Sequence, residues 1–149
     1  MLASKLSGPP TNARSLVGLD VGAQRVGVAI VSLVARLPRP LTTLQQGDNF
    51  LSSLEQIIHQ EAVGALVIGL PRGLDGQTTA QTKLTAEFSQ QLQQHFQLPV
   101  YMQDEALTSK KAETELQARG KVYDRAEIDA LAATYILEDF LAEHPEGLL

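Results

Sequence analysis

The sequence predicts an α/β fold in which a five-stranded mixed sheet carries helices on both faces, and three observations predict it. Two short alternating apolar runs, LVGLDV from Leu16 and RVGVAIV from Arg25, flank the three-residue turn Gly22-Ala23-Gln24, the pattern of an antiparallel hairpin. The run ALVIGL, Ala65 to Leu70, is continuously apolar and is stopped by Pro71, which suits a strand covered on both faces, as parallel strands are. Apolar residues at helical spacing before and after that run make the chain alternate strand and helix.

Residues 1–13 hold Ser, Gly, Pro-Pro, Thr and Asn without periodicity and are expected to form a flexible arm, which leaves 14–149 as a single domain. After the hairpin, Pro38 and Pro40 forbid a central strand, so Leu41 to Gln45 is expected as a short edge strand. Asp48 or Asn49 then caps a helix with Phe50, Leu51, Leu54, Ile57 and Ile58 on one face, ending near Glu61. Past the buried run, PRGLDGQTT is rich in turn formers and lies at a strand's carboxyl end, where open α/β sheets place their ligands. Thr78 or Thr79 opens a second helix on which Ala80, Leu84, Phe88, Leu92 and Phe96 recur every four residues. LPVYMQ, Leu98 to Gln103, reads as an inner strand that runs directly into Asp104-Glu105. Thr108 caps a third helix that stops at Gly120, and Asp124 opens the last, with Glu127 completing an Asp version of the capping box.

With 149 residues, 44% of them hydrophobic, the chain can fill one core, and it holds no stretch near the ~20 apolar residues that span a bilayer. It contains no cysteine, which excludes disulfides, thiolate nucleophiles and thiolate metal sites. The start MLASKLSGPP lacks the apolar centre of a secretory signal, and a cytoplasmic address is expected. A net charge of −5 argues against a protein that coats nucleic acid, but not against a small enzyme that grips a few phosphates.

Three acids stand out. Asp20 interrupts the apolar positions of the first run, and a buried carboxylate is costly to ionise unless a cation or donors meet it; a turn residue capping the loop is the alternative. Glu105 ends a strand. Asp129 shares a stripe with Ala132, Ala133, Ile136 and Phe140, where it either contributes chemistry or complements the positive end of the helix dipole. The two alanines are small enough for the helix to press closely onto the sheet. Gly18, Gly22, Gly27 and Gly69 accompany the acids and mark bulges or places where a ligand comes close to the backbone. Should Asp20, Glu105 and Asp129 converge on one end of the sheet, they would form an oxygen-only site suited to Mg²⁺ or Mn²⁺. Two such ions about 4 Å apart would hold the attacking water and the leaving oxygen of a phosphodiester in line. His59, His95 and His144 share no ligand spacing and are expected on the solvated surface. Lys110, Lys111, Arg119, Lys121 and Arg125 cluster between Glu105 and Asp129, as a phosphate-binding edge or simply a solvated helix face. Arg25 and Arg72 are further candidates to hold a nucleic-acid backbone.

GLDVGAQRVGVAI, VIGLPRGLDGQ, DEALTS and EIDALAA, in this order and spacing, resemble the YqgF/RuvX family over nearly the whole chain from Leu16 to Phe140. The resemblance implies an RNase H-like fold and a hydrolase of bacterial cytoplasm, a nuclease that works with Mg²⁺ or Mn²⁺. The family is described as processing the 5′ end of pre-16S rRNA, and earlier as resolving Holliday junctions, so structured RNA or branched DNA is the implied partner. It also implies that Asp20, Glu105 and Asp129 are the catalytic acids and metal ligands; Arg25, Arg72, Lys110, Lys111 and Lys121 are then the candidate substrate contacts. Monomer and homodimer are both compatible with the sequence. The chain departs from the family pattern twice: Ala106 stands where members commonly carry Arg, and Leu33 where they carry Asp after the hairpin. Two other classes compete. Actin-like ATPases and sugar kinases share an Asp-x-Gly hairpin but need two such domains, for which 149 residues leave no room. A non-catalytic RNA-binding module could keep the fold without turnover.

Overall fold

A computed structural model describes residues 12–71, 80–105, 108–120 and 124–145. Arg72, Thr78, Thr79, Ala106, Lys121 and most of the expected arm lie outside them, as do the side chains of Lys110 and Lys111. The elements run β1 (Ser15–Val21), β2 (Arg25–Ser32), β3 (Arg39–Gln45), α1 (Phe50–Gln60), β4 (Val63–Pro71), α2 (Ala80–Phe96), β5 (Val100–Glu105), α3 (Thr108–Ala118) and α4 (Arg125–Glu143). The five strands form one sheet in the order β3-β2-β1-β4-β5. The β1–β2 and β2–β3 pairs are antiparallel, and the β1–β4 and β4–β5 pairs parallel, so the sheet is mixed as expected. No described helix is long and apolar enough to cross a membrane.

Alternation along each strand sorts the core into two layers. Val17, Leu19, Val28, Ile30, Leu66 and Ile68 pack with Phe50, Leu54 and Ile58 of α1 and Leu92 of α2 on one face. Leu16, Ala29, Val31, Ala65 and Val67 pack with Ala133, Ile136, Leu137 and Phe140 of α4 on the other. Helix α3 packs on α4, where its Ala112 and Leu116 close over Ile128, Leu131, Ala132 and Tyr135. Tyr135 donates its hydroxyl to Glu115 Oε1, and Glu115 also pairs with Arg119, which ties α3 to α4 through a polar chain.

Several expectations are corrected. Pro40 falls inside β3, opposite Ala29, where the ladder shifts register; an edge strand tolerates the missing donor there. Asn49 occupies the N-cap of α1, but its side chain makes no capping bond, and the Gly47 carbonyl accepts the Phe50 N–H instead. On α2, Phe88, Leu92 and Phe96 of the expected stripe pack against the core, but Ala80 and Leu84 are exposed, and Thr82, Thr85 and Ser89 are buried beside Leu92. A strict four-residue stride drifts around a helix of 3.6 residues per turn, whereas the alternating three- and four-residue steps from Thr82 to Leu92 hold one face. Two of the buried hydroxyls donate inside the helix, Thr85 to the Gln81 carbonyl at 2.9 Å and Ser89 to that of Ala86 at 2.8 Å. Strand β5 lies at an edge rather than inside the sheet, and it includes Asp104 and Glu105. His59 and His95 are exposed, but His144 packs on Phe140 and meets its carbonyl at 2.9 Å, closing the end of α4.

Candidate active site

The site grows from one register contact. In the β1–β2 ladder Asp20 stands opposite Gly27, and strand alternation places residue 20 on the face that already carries Leu16 and Gly18 toward α4. At Gly27 a Cβ would lie 1.9 Å from the carbonyl oxygen of Asp129 and 2.2 Å from its carbon. Only a residue without a side chain lets the start of α4 rest on the strand backbone there. The start of that helix is set locally, because Asp124 in extended conformation accepts the Glu127 N–H at 2.9 Å. Asp129, one turn in, is thereby delivered beside Asp20. Gly18 and Gly69 serve α4 in the same way, against Leu137 and Ile136. Gly18, Gly27 and Gly69, expected at bulges or where a ligand comes close, admit a helix instead, whereas Gly22 sits at the hairpin turn against the Arg25 carbonyl.

Arg25 is on the same strand and face as Gly27, two residues earlier, and its Nε donates to Asp129 Oδ2 at 2.8 Å. Asp20 has the less favourable surroundings: burial, and secondarily the Asp129 carboxylate, push its carboxyl from 3.8 up to about 7. Glu105 approaches from the far side. Register sets Pro71 opposite Glu105 and Gly69 opposite Gln103, and a Cβ on Gly69 would lie 3.8 Å from Glu105 Cγ. Glu105 is therefore on the α4 face, across a position without a side chain, and its Oε1 is shielded from solvent. Its neighbour Asp104 is exposed, since alternation turns it the other way.

Of the three acids expected to converge, the structure brings Asp20 and Asp129 together and sets Glu105 on the same face of the sheet. Asp20 and Asp129 interact, Glu105 shares their face and end of the sheet, and among the described residues no group of three or more His, Cys, Asp or Glu is placed to hold a metal ion. The chemistry of the donors fits a hard divalent cation. All three are carboxylates, and burial with the Asp129 charge beside it makes the Asp20 carboxylate costly to ionise without a cation.

Arg25, expected to face a nucleic-acid backbone, is bound to an acid of the site in this structure. Arg119 pairs with Glu115, and Arg125 is exposed at the start of α4. The Arg25–Asp129 contact is absent from the expectations drawn from sequence, although a signal for it exists: residues 25 and 27 share a strand face, and glycine at 27 implies that something packs there.

Comparison with known proteins agrees with the fold. The profile of a family described as RuvX, Holliday junction resolvase, matches residues 14–143. A protein of Azotobacter vinelandii named "Putative pre-16S rRNA nuclease" is 36% identical over 146 residues, 95% of this chain and 100% of its own. A protein of the same name from Crocosphaera subtropica is 36% identical over 139 residues, 91% of this chain and 97% of its own. Among solved structures, Thermus thermophilus RuvC in complex with a Holliday junction substrate superposes with a TM-score of 0.56 at 16% identity, covering 90% of this chain and 98% of that one. A second T. thermophilus RuvC structure gives 0.54 at 15% identity, covering 88% and 96%. At such identities the likeness speaks for the RNase H-like fold alone.

Proposed function

The chain belongs to the RuvX family, and on that premise we propose that it is a metal-dependent endonuclease that hydrolyses phosphodiesters of structured nucleic acid. Its task in this reading is 5′-end processing of pre-16S rRNA during ribosome biogenesis, in the cytoplasm. The observation that carries the chemistry is the meeting of Asp20 and Asp129 at one end of the sheet, with Glu105 on the same face. Those three residues would hold Mg²⁺ or Mn²⁺. Such an ion supplies Lewis-acid stabilisation of the charge that develops on a phosphate under attack. The chain's own part is to hold the acids: β1 fixes Asp20, the Gly27 contact and the Asp124 cap fix Asp129, and the end of β5 fixes Glu105. Arg72, Lys110, Lys111 and Lys121 are assigned to substrate phosphates, where they would set affinity and its dependence on salt.

Pre-rRNA is favoured as substrate because relatives bearing that name match almost end to end. The description of the matched family favours a second reading, in which the substrate is a Holliday junction in recombination or repair. One assay separates them: purified protein with Mn²⁺ or Mg²⁺ is given an RNA carrying the pre-rRNA 5′ extension and, separately, a four-way DNA junction. Cleavage of the RNA, abolished in Asp129→Asn while binding persists, is the expected result. Cleavage of the junction alone selects the second reading, and no cleavage of either with any divalent ion selects a binding module of the same fold.

A further inference from the structure

The contact between Arg25 and Asp129 has a consequence for metal binding, one that rests on the metal-dependent reading of the site. Arg25 is not a long side chain lying on an open surface. It projects from the strand on which α4 rests, two residues from the glycine that admits the Asp129 backbone, and joins residues 104 apart in sequence. The two side chains are 25% and 19% exposed, and Asp20 stands beside them with its own carboxyl crowded by burial. The guanidinium takes Asp129 Oδ2 at 2.8 Å, one of the oxygens that a divalent ion would need. A fixed cation at that distance also repels a second one. Arg25 and the ion are therefore competitors for one carboxylate.

We propose that Arg25 is a built-in placeholder cation: it neutralises Asp129 while no divalent ion is bound, gives up that carboxylate when an ion takes the Asp20–Asp129 pair, and is then free to engage substrate phosphate. This goes beyond a fixed phosphate contact, because it makes the availability of Arg25 depend on the metal. Binding would be ordered, metal first and nucleic acid second. The coupling would be reciprocal, as linked binding equilibria must be.

The test measures metal binding rather than turnover. Mn²⁺ is titrated calorimetrically into the full-length protein and into Arg25→Gln and Arg25→Met, two neutral variants of which Met preserves the apolar stem. Removal of a partly shielded competitor of this kind should tighten Mn²⁺ binding by about three- to tenfold. The same variants should melt at lower temperature than wild type in EDTA and recover most of the difference at saturating Mn²⁺, which also verifies that they fold. Binding of nuclease-resistant RNA should rise on adding Mn²⁺ in wild type and rise less in either variant. Mn²⁺ affinity that is unchanged or weaker in both variants overturns the placeholder role and makes Arg25 a residue that merely positions Asp129. Wild type that binds no Mn²⁺ by calorimetry or thermal shift overturns the metal-dependent reading itself, which is a distinct failure.

Discussion

Replacing Asp20 by Asn tests the electrostatics of the site most directly. With the carboxyl pushed from 3.8 to about 7 by burial and by Asp129, the folded protein holds that proton more tightly than the unfolded chain does. Below pH 3.8 both states carry the proton and Asp20 costs nothing. As the pH rises the unfolded chain ionises first, so folding loses stability, and the loss is complete once the pH exceeds about 7. A gap of that size corresponds to about 4 kcal/mol as an upper bound, and to about 1–2 kcal/mol at pH 5. Asn keeps the shape and carries no charge to desolvate. Asp20→Asn should therefore be more stable than wild type in EDTA, by up to about 4 kcal/mol at pH 8 and clearly less at pH 5. A chain of this size moves about 2–4 °C in Tm per kcal/mol, so the gain at pH 8 is readily seen. Paired urea melts of the two proteins at pH 5 and pH 8 measure it, and titrations elsewhere in the molecule largely cancel in the difference. Mn²⁺ should stabilise wild type by mass action and fail to stabilise the variant. A gain equal at both pH values, or a variant less stable than wild type at pH 8, would refute the reasoning, and an unchanged Mn²⁺ response would remove Asp20 from the ligand set.

The remaining predictions concern the scaffold that delivers the acids. Gly27→Ala places a Cβ 1.9 Å from a backbone oxygen that cannot swing away, so it should cost about 3 kcal/mol or more, whereas Gly69→Ala presses on side chain rather than backbone, Ile136 Cδ1 at 2.4 Å and Cγ1 at 2.9 Å, and should cost less, about 1–2 kcal/mol; chemical denaturation compares the two. Leu84→Ala should change stability by less than about 0.5 kcal/mol, while Leu92→Ala should cost about 2–5 kcal/mol, which checks in thermal melts which stripe of α2 is buried. Tyr135→Phe removes the bond to Glu115 and should cost about 1–2 kcal/mol, with the loss read as faster hydrogen exchange in α3 before any change in the sheet.

Much of this fold was legible in the sequence because its signals are local. The hairpin turn at Gly22-Ala23-Gln24, the doubly covered strand Val63–Pro71, the Asp124 cap and the end of α1 at Glu61 follow from turn geometry, side-chain period and capping chemistry, all of which act within a few residues. The three acids stood out as candidates for the same reason, each being an anion at an apolar or strand-end position. Their relations were not. Whether Asp104 or Glu105 faces the site is decided by the pleat of β5 against β4, and the strand glycines are filled by α4 because that helix arrives from the far end of the chain. On α2 the later part of the expected stripe, Phe88, Leu92 and Phe96, does face the core, while at its start the four-residue stride carries Ala80 and Leu84 off that face. Arg25 changed partners: a sequence shows a cation near a turn, but only the contact between residues 104 apart puts a carboxylate in its reach. Local chemistry fixes which groups are present and on which element, whereas long-range register and close packing decide which charges meet, since an ion pair depends on distances that no short window of sequence contains.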